Sequence, residues 1–434
     1  MAVAPPPVRR QPPAPIRTRP PSYVYWRRRA IVVLGVVTFV VLSYLALTLA
    51  FALNNPGYGA SYSARAAEWG RQHGLGGFVT WVEAEWYRLN PAKTGGKPPA
   101  GAFGSGKTKV NVPAAGHLTA PARIATPAGT PLAGEGVWHV AGRTTANGTP
   151  TVYEAFVRPD PVHTSYVVGV AWMDPTLLRA QLYSGSFIPG HGPFTYSAPI
   201  STAASRTLVS AFNAGFRMQD ANGGYYTDGR MIIPLRTGAA SVVITKDGTM
   251  TVGAWGSNGL TMAMHPESVR QNLDLIVNNA QPVPGLTAAN AIKWGKTLGG
   301  TFNVWRSGLG VTKDGALVYV GGPALSISDL AKVLVRAGAV RAMQLDINTD
   351  WVSYATFTGP NGQPGQRRQR DEPAERRGEH VLRTVALLRH VVVARLLHHV
   401  AAAQGAGVDL DDDLGGRLAV GHFAPDRRGQ VAKY

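Results

Sequence analysis

No cysteine occurs among the 434 residues, which excludes disulfides, thiolate metal sites and a cysteine nucleophile and leaves packing alone to hold the fold. Charge is also sparse, at 16% of the chain, and acidic residues are the scarcer sign: 25 Asp and Glu stand against 43 Lys and Arg, for a formal net charge of +18. A surplus of that size raises the question of nucleic acid or another polyanion. Its distribution argues against one. Arginines crowd the two ends of the chain, whereas the middle is rich in Gly, Thr, Asn and aromatic residues and has no basic stripe with interleaved aromatics.

Long apolar runs are missing with one exception. Residues 30–53, AIVVLGVVTFVVLSYLALTLAFAL, carry no charge and exceed the roughly 20 residues that a helix needs to cross about 30 Å of hydrocarbon. Arg27, Arg28 and Arg29 stand directly before this run, Arg9, Arg10, Arg17 and Arg19 lie upstream, and Tyr23, Tyr25 and Trp26 supply an interfacial aromatic belt. The pattern predicts a single-pass protein of the cell membrane, with the amino terminus cytoplasmic and the main domain extracellular. Ala50-Phe51-Ala52 looks like a small-residue cleavage site, but a signal-peptide core spans only about 7–15 residues, so an uncleaved anchor is the preferred expectation.

Composition divides the chain further. Residues 1–29 read as a basic, Pro-rich cytoplasmic tail, 30–53 as the transmembrane helix, and 54–89 as a membrane-proximal helical segment broken at Gly74, Gly76 and Gly77. Residues 90–131, dense in Pro, Gly, Ala and Thr, read as a flexible linker. Inside that linker, Gly101-Ala102-Phe103-Gly104-Ser105-Gly106-Lys107-Thr108 satisfies the phosphate-loop pattern. A phosphate loop needs a strand before it and a helix after it, whereas Pro98 and Pro99 precede this one and Val112-Pro113 follows, so no nucleotide is expected.

Residues 132–362 change to short apolar runs between turn signals, the mark of a sheet-rich domain. Strands are predicted at 151–157, 166–172, 208–212, 240–244, 249–254, 273–277, 307–312, 316–320 and 342–346, with hairpins at Lys246-Asp247-Gly248 and Lys313-Asp314-Gly315. Residues 326–338 open on Ser326, carry apolar positions at helical spacing and close on Gly338, which predicts a helix feeding the strand that ends at Asp346. The fold class expected is α+β, or mixed α/β, preceded by one transmembrane helix.

Three blocks in this domain carry a resemblance. Phe212-Asn213-Ala214-Gly215-Phe216, then Arg306-Ser307-Gly308-Leu309-Gly310-Val311-Thr312-Lys313-Asp314-Gly315, then a helix leading into Gln344-Leu345-Asp346, resemble the phosphodiester glycosidase family in order and spacing, over about 151–358. The family's third block normally continues from its aspartate into glycines and serine, where this chain reads Ile347-Asn348-Thr349-Asp350-Trp351, and Arg217 stands where the family usually repeats an aromatic residue. The resemblance implies hydrolysis of a sugar–phosphate ester at the anomeric carbon, a reaction that builds oxocarbenium character and expels phosphate.

Such chemistry needs anion clamping more than a strong acid. Arg306 is the candidate clamp, because guanidinium offers a planar fork matched to phosphate oxygens; an ordinary ion-paired arginine is its bland alternative. Asp346 is the candidate nucleophile, general base or ligand of a divalent cation, with Asp350 as partner or as a solvated turn residue. Asn213, Gly215, Arg217, Asp228 and His191 are candidate substrate-binding residues, although turn chemistry explains Asn213, Gly215 and Asp228 as well. His191 has no second histidine at ligand spacing, so a histidine metal site is not expected.

The last segment, 363–434, is anomalous. From Gln366 onward Ser, Asn, Ile, Met and Trp vanish and Arg, Ala, Val, Leu, His and Asp take over. The switch reads as translation of a GC-rich gene in a shifted frame, and the segment is expected to be a disordered or frame-shifted tail. Translating the neighbouring frame tests this, since the expected result is the return of Asn, Ser, Phe and Tyr. The rival is a helix over 381–403. The functional expectation is an extracytoplasmic glycosidase acting on a sugar-1-phosphodiester of cell-envelope or exopolysaccharide glycans, with the lipid bilayer as partner and no nucleic acid. The alternative is a degenerate polysaccharide-binding or envelope-assembly protein.

Overall fold

The computed structural model of the chain describes residues 21–55, 58, 61–104, 116–185, 189–257, 259–295, 302–347, 351–360, 363, 366–367 and 390–396. Helix α1 (Ser22–Asn54) contains the whole apolar run and is long and apolar enough to cross a membrane. Helices α2 (Tyr62–Gln72) and α3 (Gly76–Leu89) follow as a hairpin broken where Gly74 takes φ +80°, as the glycine cluster predicted. Ser61 caps α2 by accepting the Ala64 N–H at 3.0 Å.

The strands then run in chain order. The first four are β1 (His139–Thr144), β2 (Pro150–Val157), β3 (Val168–Met173) and β4 (Leu178–Ser184). After the short helix α4 (Thr202–Ser205) come β5 (Leu208–Asn213), β6 (Tyr225–Thr227), β7 (Arg230–Ile233), β8 (Ala240–Thr245), β9 (Met250–Ala254) and β10 (Pro266–Gln271). Next are β11 (Leu275–Asn278), β12 (Gln281–Pro282), β13 (Val304–Thr312), β14 (Leu317–Leu325), helix α5 (Ile327–Arg336) and β15 (Ala339–Ile347). The last are β16 (Tyr354–Thr358), β17 (Gln366–Arg367) and β18 (His390–Leu396). Every strand predicted from sequence has its counterpart, and both Asp-Gly sites join the hairpins expected of them.

Three antiparallel sheets result: an eight-stranded one in the order β1-β2-β3-β14-β13-β15-β11-β12, and two of five strands, β7-β6-β10-β8-β9 and β17-β16-β5-β18-β4. Strands β14 and β15 each pair antiparallel with β13, so they run the same way on either side of it, and α5 makes the crossover. Ser326 caps α5 through the Asp329 N–H at 3.0 Å, and the helix buries Ile327, Leu330, Ala331, Val333 and Leu334 against the large sheet. The opposite face of that sheet packs on the other two around Phe212, Val242, Leu309, Tyr319, Met343 and Leu345. This geometry sets Asp346 at the carboxyl end of β15, beside Arg306 on β13.

Two expectations are corrected. The linker is not free over its described residues: the Gly95 N–H donates to Val162 O at 2.7 Å, the Leu118 N–H to Asp174 Oδ2 at 2.8 Å, and Ile124 is buried. A Pro- and Gly-rich ribbon can lie extended along a domain when the domain supplies its hydrogen-bond partners. Close by, buried Glu135 accepts the Arg158 guanidinium (2.9 Å), the Arg158 N–H (2.9 Å), the Leu132 N–H (2.9 Å) and the Thr126 hydroxyl (2.5 Å). The second correction concerns the tail. His390–Leu396 forms neither helix nor loop but a strand seated between β4 and β5, a state suited to its β-branched Val391-Val392-Val393 run. Residues 368–389 and 397–434, and the phosphate-loop residues 105–108, lie outside the described residues.

Candidate active site

The site is built around β15. Asp346 receives its own neighbour's amide, with the Ile347 N–H donating to Oδ1 at 2.8 Å, while its carbonyl accepts the Ser307 hydroxyl at 2.7 Å. Ser307 accepts the Asn213 side-chain amide (2.9 Å), and Asn213 Oδ1 accepts the Tyr319 hydroxyl (2.9 Å) and the Ser353 N–H (3.1 Å). This buried chain ties β5, β13, β14 and β15 together and holds the strand end that carries the carboxylate.

Asp346 opens on a cavity of about 470 Å³, within the range of small-molecule sites. Arg217, Asp220, Asp274, Lys293, Ile347 and Trp351 line it from the domain, and Arg71, Thr80 and Glu83 line it from the α2–α3 hairpin. Each cation there meets an acid: Arg71 with Glu83 at 2.6 Å, Arg217 with Asp220 at 3.3 Å, Lys293 with Asp274 at 3.4 Å. Among the described lining residues, Asp346 is the carboxylate left without such a pair. Burial pushes its pKa up to about 7, against the pull of the Ile347 N–H, Arg217 and Arg270. A carboxyl that titrates near neutrality and faces a cavity is suited to proton transfer.

Behind it lies Arg270, fully buried on β10. Its guanidinium donates to the carbonyls of Gln271 and Phe216, sits 6.0 Å from the Tyr225 ring, and leaves Nε without a partner. Burial lowers its pKa to about 10, with Tyr225 and Asp346 opposing. It acts as a fixed positive charge beneath the site that favours the anionic form of Asp346.

The candidates named from sequence divide accordingly. Asp346 and Arg217 share the cavity. Arg306 does not line it: its guanidinium is buried and donates to Leu325 O (2.9 Å), Gln344 Oε1 (2.9 Å) and Phe302 O (3.2 Å). Gln344 in turn donates to Trp294 O at 2.8 Å, so Arg306 braces the strand ends and is not placed as a phosphate clamp. Asn213 spends its amide on the scaffold. Gly215 takes φ +141°, where a Cβ would come within 3.2 Å of Asn272 Cγ, so glycine serves the close approach of two segments. Asp228, with φ +52°, accepts the Thr195 N–H at 2.8 Å in the β6–β7 turn. His191 is exposed on a neighbouring loop, its carbonyl accepting from Arg230 at 3.1 Å. Asp350 lies outside the described residues. Arg71, Glu83 and Arg270 were not anticipated: the first two lie in the segment read as a membrane-proximal helical one, and a lone arginine in an unpredicted strand gives no local signal.

Residues 206–346 match the phosphodiester glycosidase family. The chain carries a phosphodiester glycosidase domain there. The matched stretch runs from two residues before β5 to Asp346 and so contains the Asn213–Ser307–Asp346 chain, Arg217 and Arg270, while the α2–α3 hairpin lies outside it. Among solved structures, the chain is similar to the catalytic domain of zebrafish N-acetylglucosamine-1-phosphodiester alpha-N-acetylglucosaminidase, auto-inhibited by its pro-peptide, at 14% identity and a TM-score of 0.37 over 58% of this chain and 86% of that one. It is also similar to a hypothetical protein from Synechocystis (12% identity, TM-score 0.34, 58% and 63% of the two chains). A third likeness is to a Burkholderia pseudomallei protein described as exported (13%, 0.31, 55% and 75%). No curated protein matches the chain. Among the described residues of the glycosidase domain and its surroundings, no three His, Asp or Glu side chains gather as a metal-binding group.

Proposed function

We propose that the chain is a membrane-anchored extracytoplasmic glycosidase that hydrolyses a sugar-1-phosphodiester of cell-envelope or exopolysaccharide glycans. The observation that carries this reading is Asp346: an unpaired carboxyl with a pKa near 7, at a strand end, in a cavity that also holds Arg217 and Arg71. The family match supports the reaction class, and the apolar α1 supports the anchor.

In the reaction, Asp346 takes a proton from a water as its oxygen attacks the anomeric carbon. The bond from that carbon to the phosphate oxygen breaks, and the phosphate monoester leaves with the electron pair. A phosphate is a fair leaving group, so a guanidinium that meets its oxygens serves better than a strong acid. We assign this role to Arg217, which is half-sheltered in the cavity and held by one long contact to Asp220. Burial and the nearby Arg71 lower its pKa from the ordinary value, a strain that a phosphate dianion relieves.

The test is release of reducing sugar from an alkyl sugar-1-phosphodiester by the full chain in detergent or vesicles. Turnover supports the enzyme; saturable binding without turnover assigns the chain to the polysaccharide-binding class instead. With turnover established, Arg217→Ala is expected to lower kcat/KM by about 10- to 100-fold, the loss of one charged hydrogen bond to the departing phosphate. An unchanged kcat/KM removes Arg217 from the site.

A further inference from the structure

The α2–α3 hairpin reaches back along the anchor. Arg65 donates to Leu53 O at 2.7 Å, Trp69 Nε1 to Thr48 Oγ1 at 3.1 Å, and the His73 ring lies 6.4 Å from that of Tyr44, so α2 descends along the last turns of α1. From Leu53 to Tyr44 is about 14 Å of helix, and a span of roughly 20 residues starting at Ala30 ends near Leu49. The turn between α2 and α3 is therefore level with a residue of the apolar span.

Helix α3, which climbs from that turn, has two unlike faces. Thr80 and Glu83 line the cavity and Tyr87 is buried, one helical face three or four residues apart. On the opposite face Phe78, Trp81, Val82, Trp86 and Leu89 are 43–64% exposed, and Leu75 leads into them at 45%. After Leu89 the described residues expose large apolar side chains at only five scattered positions, Leu132, Val162, Met231, Met262 and Ile292. The exposed apolar surface of the chain is thus concentrated on α1 and on the hairpin packed against it. The charged interruptions of this face, Glu85 and Arg88, are paired with each other.

We infer that the outer face of α3 is embedded in the bilayer leaflet into which α1 emerges, so that the cavity on its inner face sits at the membrane surface. The occupant is lipid: Trp and Phe side chains suit the headgroup boundary, the face continues the apolar surface of α1, and its lower end starts at hydrocarbon depth. A soluble partner would have to enter the bilayer to reach Leu75 and Phe78. One helix diameter of about 10 Å then separates cavity from lipid, which favours phosphodiesters that are themselves membrane-attached. The inference rests on α1 crossing the bilayer.

Because the chain has no cysteine, the test is direct. Single variants of the full chain, Trp81→Cys, Phe39→Cys in α1 and Val162→Cys on the domain, are nitroxide-labelled and reconstituted into phosphatidylcholine–phosphatidylglycerol vesicles. The ratio of collision with oxygen to collision with a water-soluble nickel complex is then measured. The expected result is a ratio at Trp81 several-fold above that at Val162 and comparable with Phe39. A high ratio at Phe39 with a Val162-like ratio at Trp81 overturns the inference and leaves the anchor standing. A Val162-like ratio at Phe39 overturns both.

Discussion

Replacing Asp346 with asparagine is expected to lower turnover of a sugar-1-phosphodiester by about 10²- to 10⁴-fold, the span usual for removing a positioned general base. Asparagine keeps the shape and can still accept the Ile347 N–H, so the strand end, tied through Ser307 and Asn213, has no reason to move. The pH profile separates chemistry from folding. With the carboxyl pushed up to about 7, the working form is the anion, and kcat/KM is expected to rise with pH through a midpoint near 7 and then level off. The asparagine variant loses that limb. Stability moves in the opposite sense: a carboxyl whose folded pKa is raised above its unfolded value favours the folded state most at low pH, and that contribution fades as pH climbs from about 4 to 7. The variant, which cannot ionise, is therefore expected to be at least as stable as the parent at pH 8. Loss of activity together with a lowered melting temperature at that pH would defeat the assignment.

Glu135→Ala is expected to cost about 3–5 kcal/mol of stability, because it strands the buried Arg158 guanidinium together with the Thr126 hydroxyl and two backbone N–H groups. For a domain of this size each kcal/mol moves the melting temperature by roughly 2–4 °C, a shift that calorimetry resolves. The double replacement Glu135→Leu with Arg158→Met removes both charges and is expected to recover much of the loss. If the double variant melts no higher than the single one, the ion pair is not what matters at this position. Burial alone would raise the Glu135 carboxyl, but Arg158, the Leu132 N–H and Thr126 outweigh it and hold it below the usual range. Its contribution is then present above about pH 4 and is lost as pH falls through the lowered value, so the double variant is also expected to lose part of the parent's acid-induced destabilisation.

Much of this molecule was legible along the chain because the signals are local. A charge-free run with an arginine collar, Asp-Gly turns between β-prone flanks, and a serine-capped helix ending in glycine are each decided within about a dozen residues, and α1, the β8–β9 and β13–β14 hairpins and α5 stand where those signals put them. Asp346 was found for the same reason, as the acid delivered at the end of the strand after α5. The tail was harder: 390–396 became a strand because β4 and β5 offer it two unsatisfied edges, and an edge is not a property of the segment itself.

Side-chain roles divided along the same line. Residue type marked Arg306 as a phosphate clamp and Asn213 as a substrate-binding residue, yet neighbours distant in sequence, Leu325, Gln344 and Phe302 for the one and Ser307, Tyr319 and Ser353 for the other, consume their hydrogen bonds. Arg71 and Glu83 reached the cavity from a helical segment that carried no site signal in the sequence. By itself the sequence determined the long apolar helix, the class of fold and the place of Asp346 at a strand end, since each depends on patterns of hydrophobicity and turn chemistry close along the chain. Only the tertiary structure decided which cation faces that carboxylate, what raises its pKa, and which apolar face was left uncovered, because desolvation, hydrogen-bond partnership and exposure depend on groups brought together by folding.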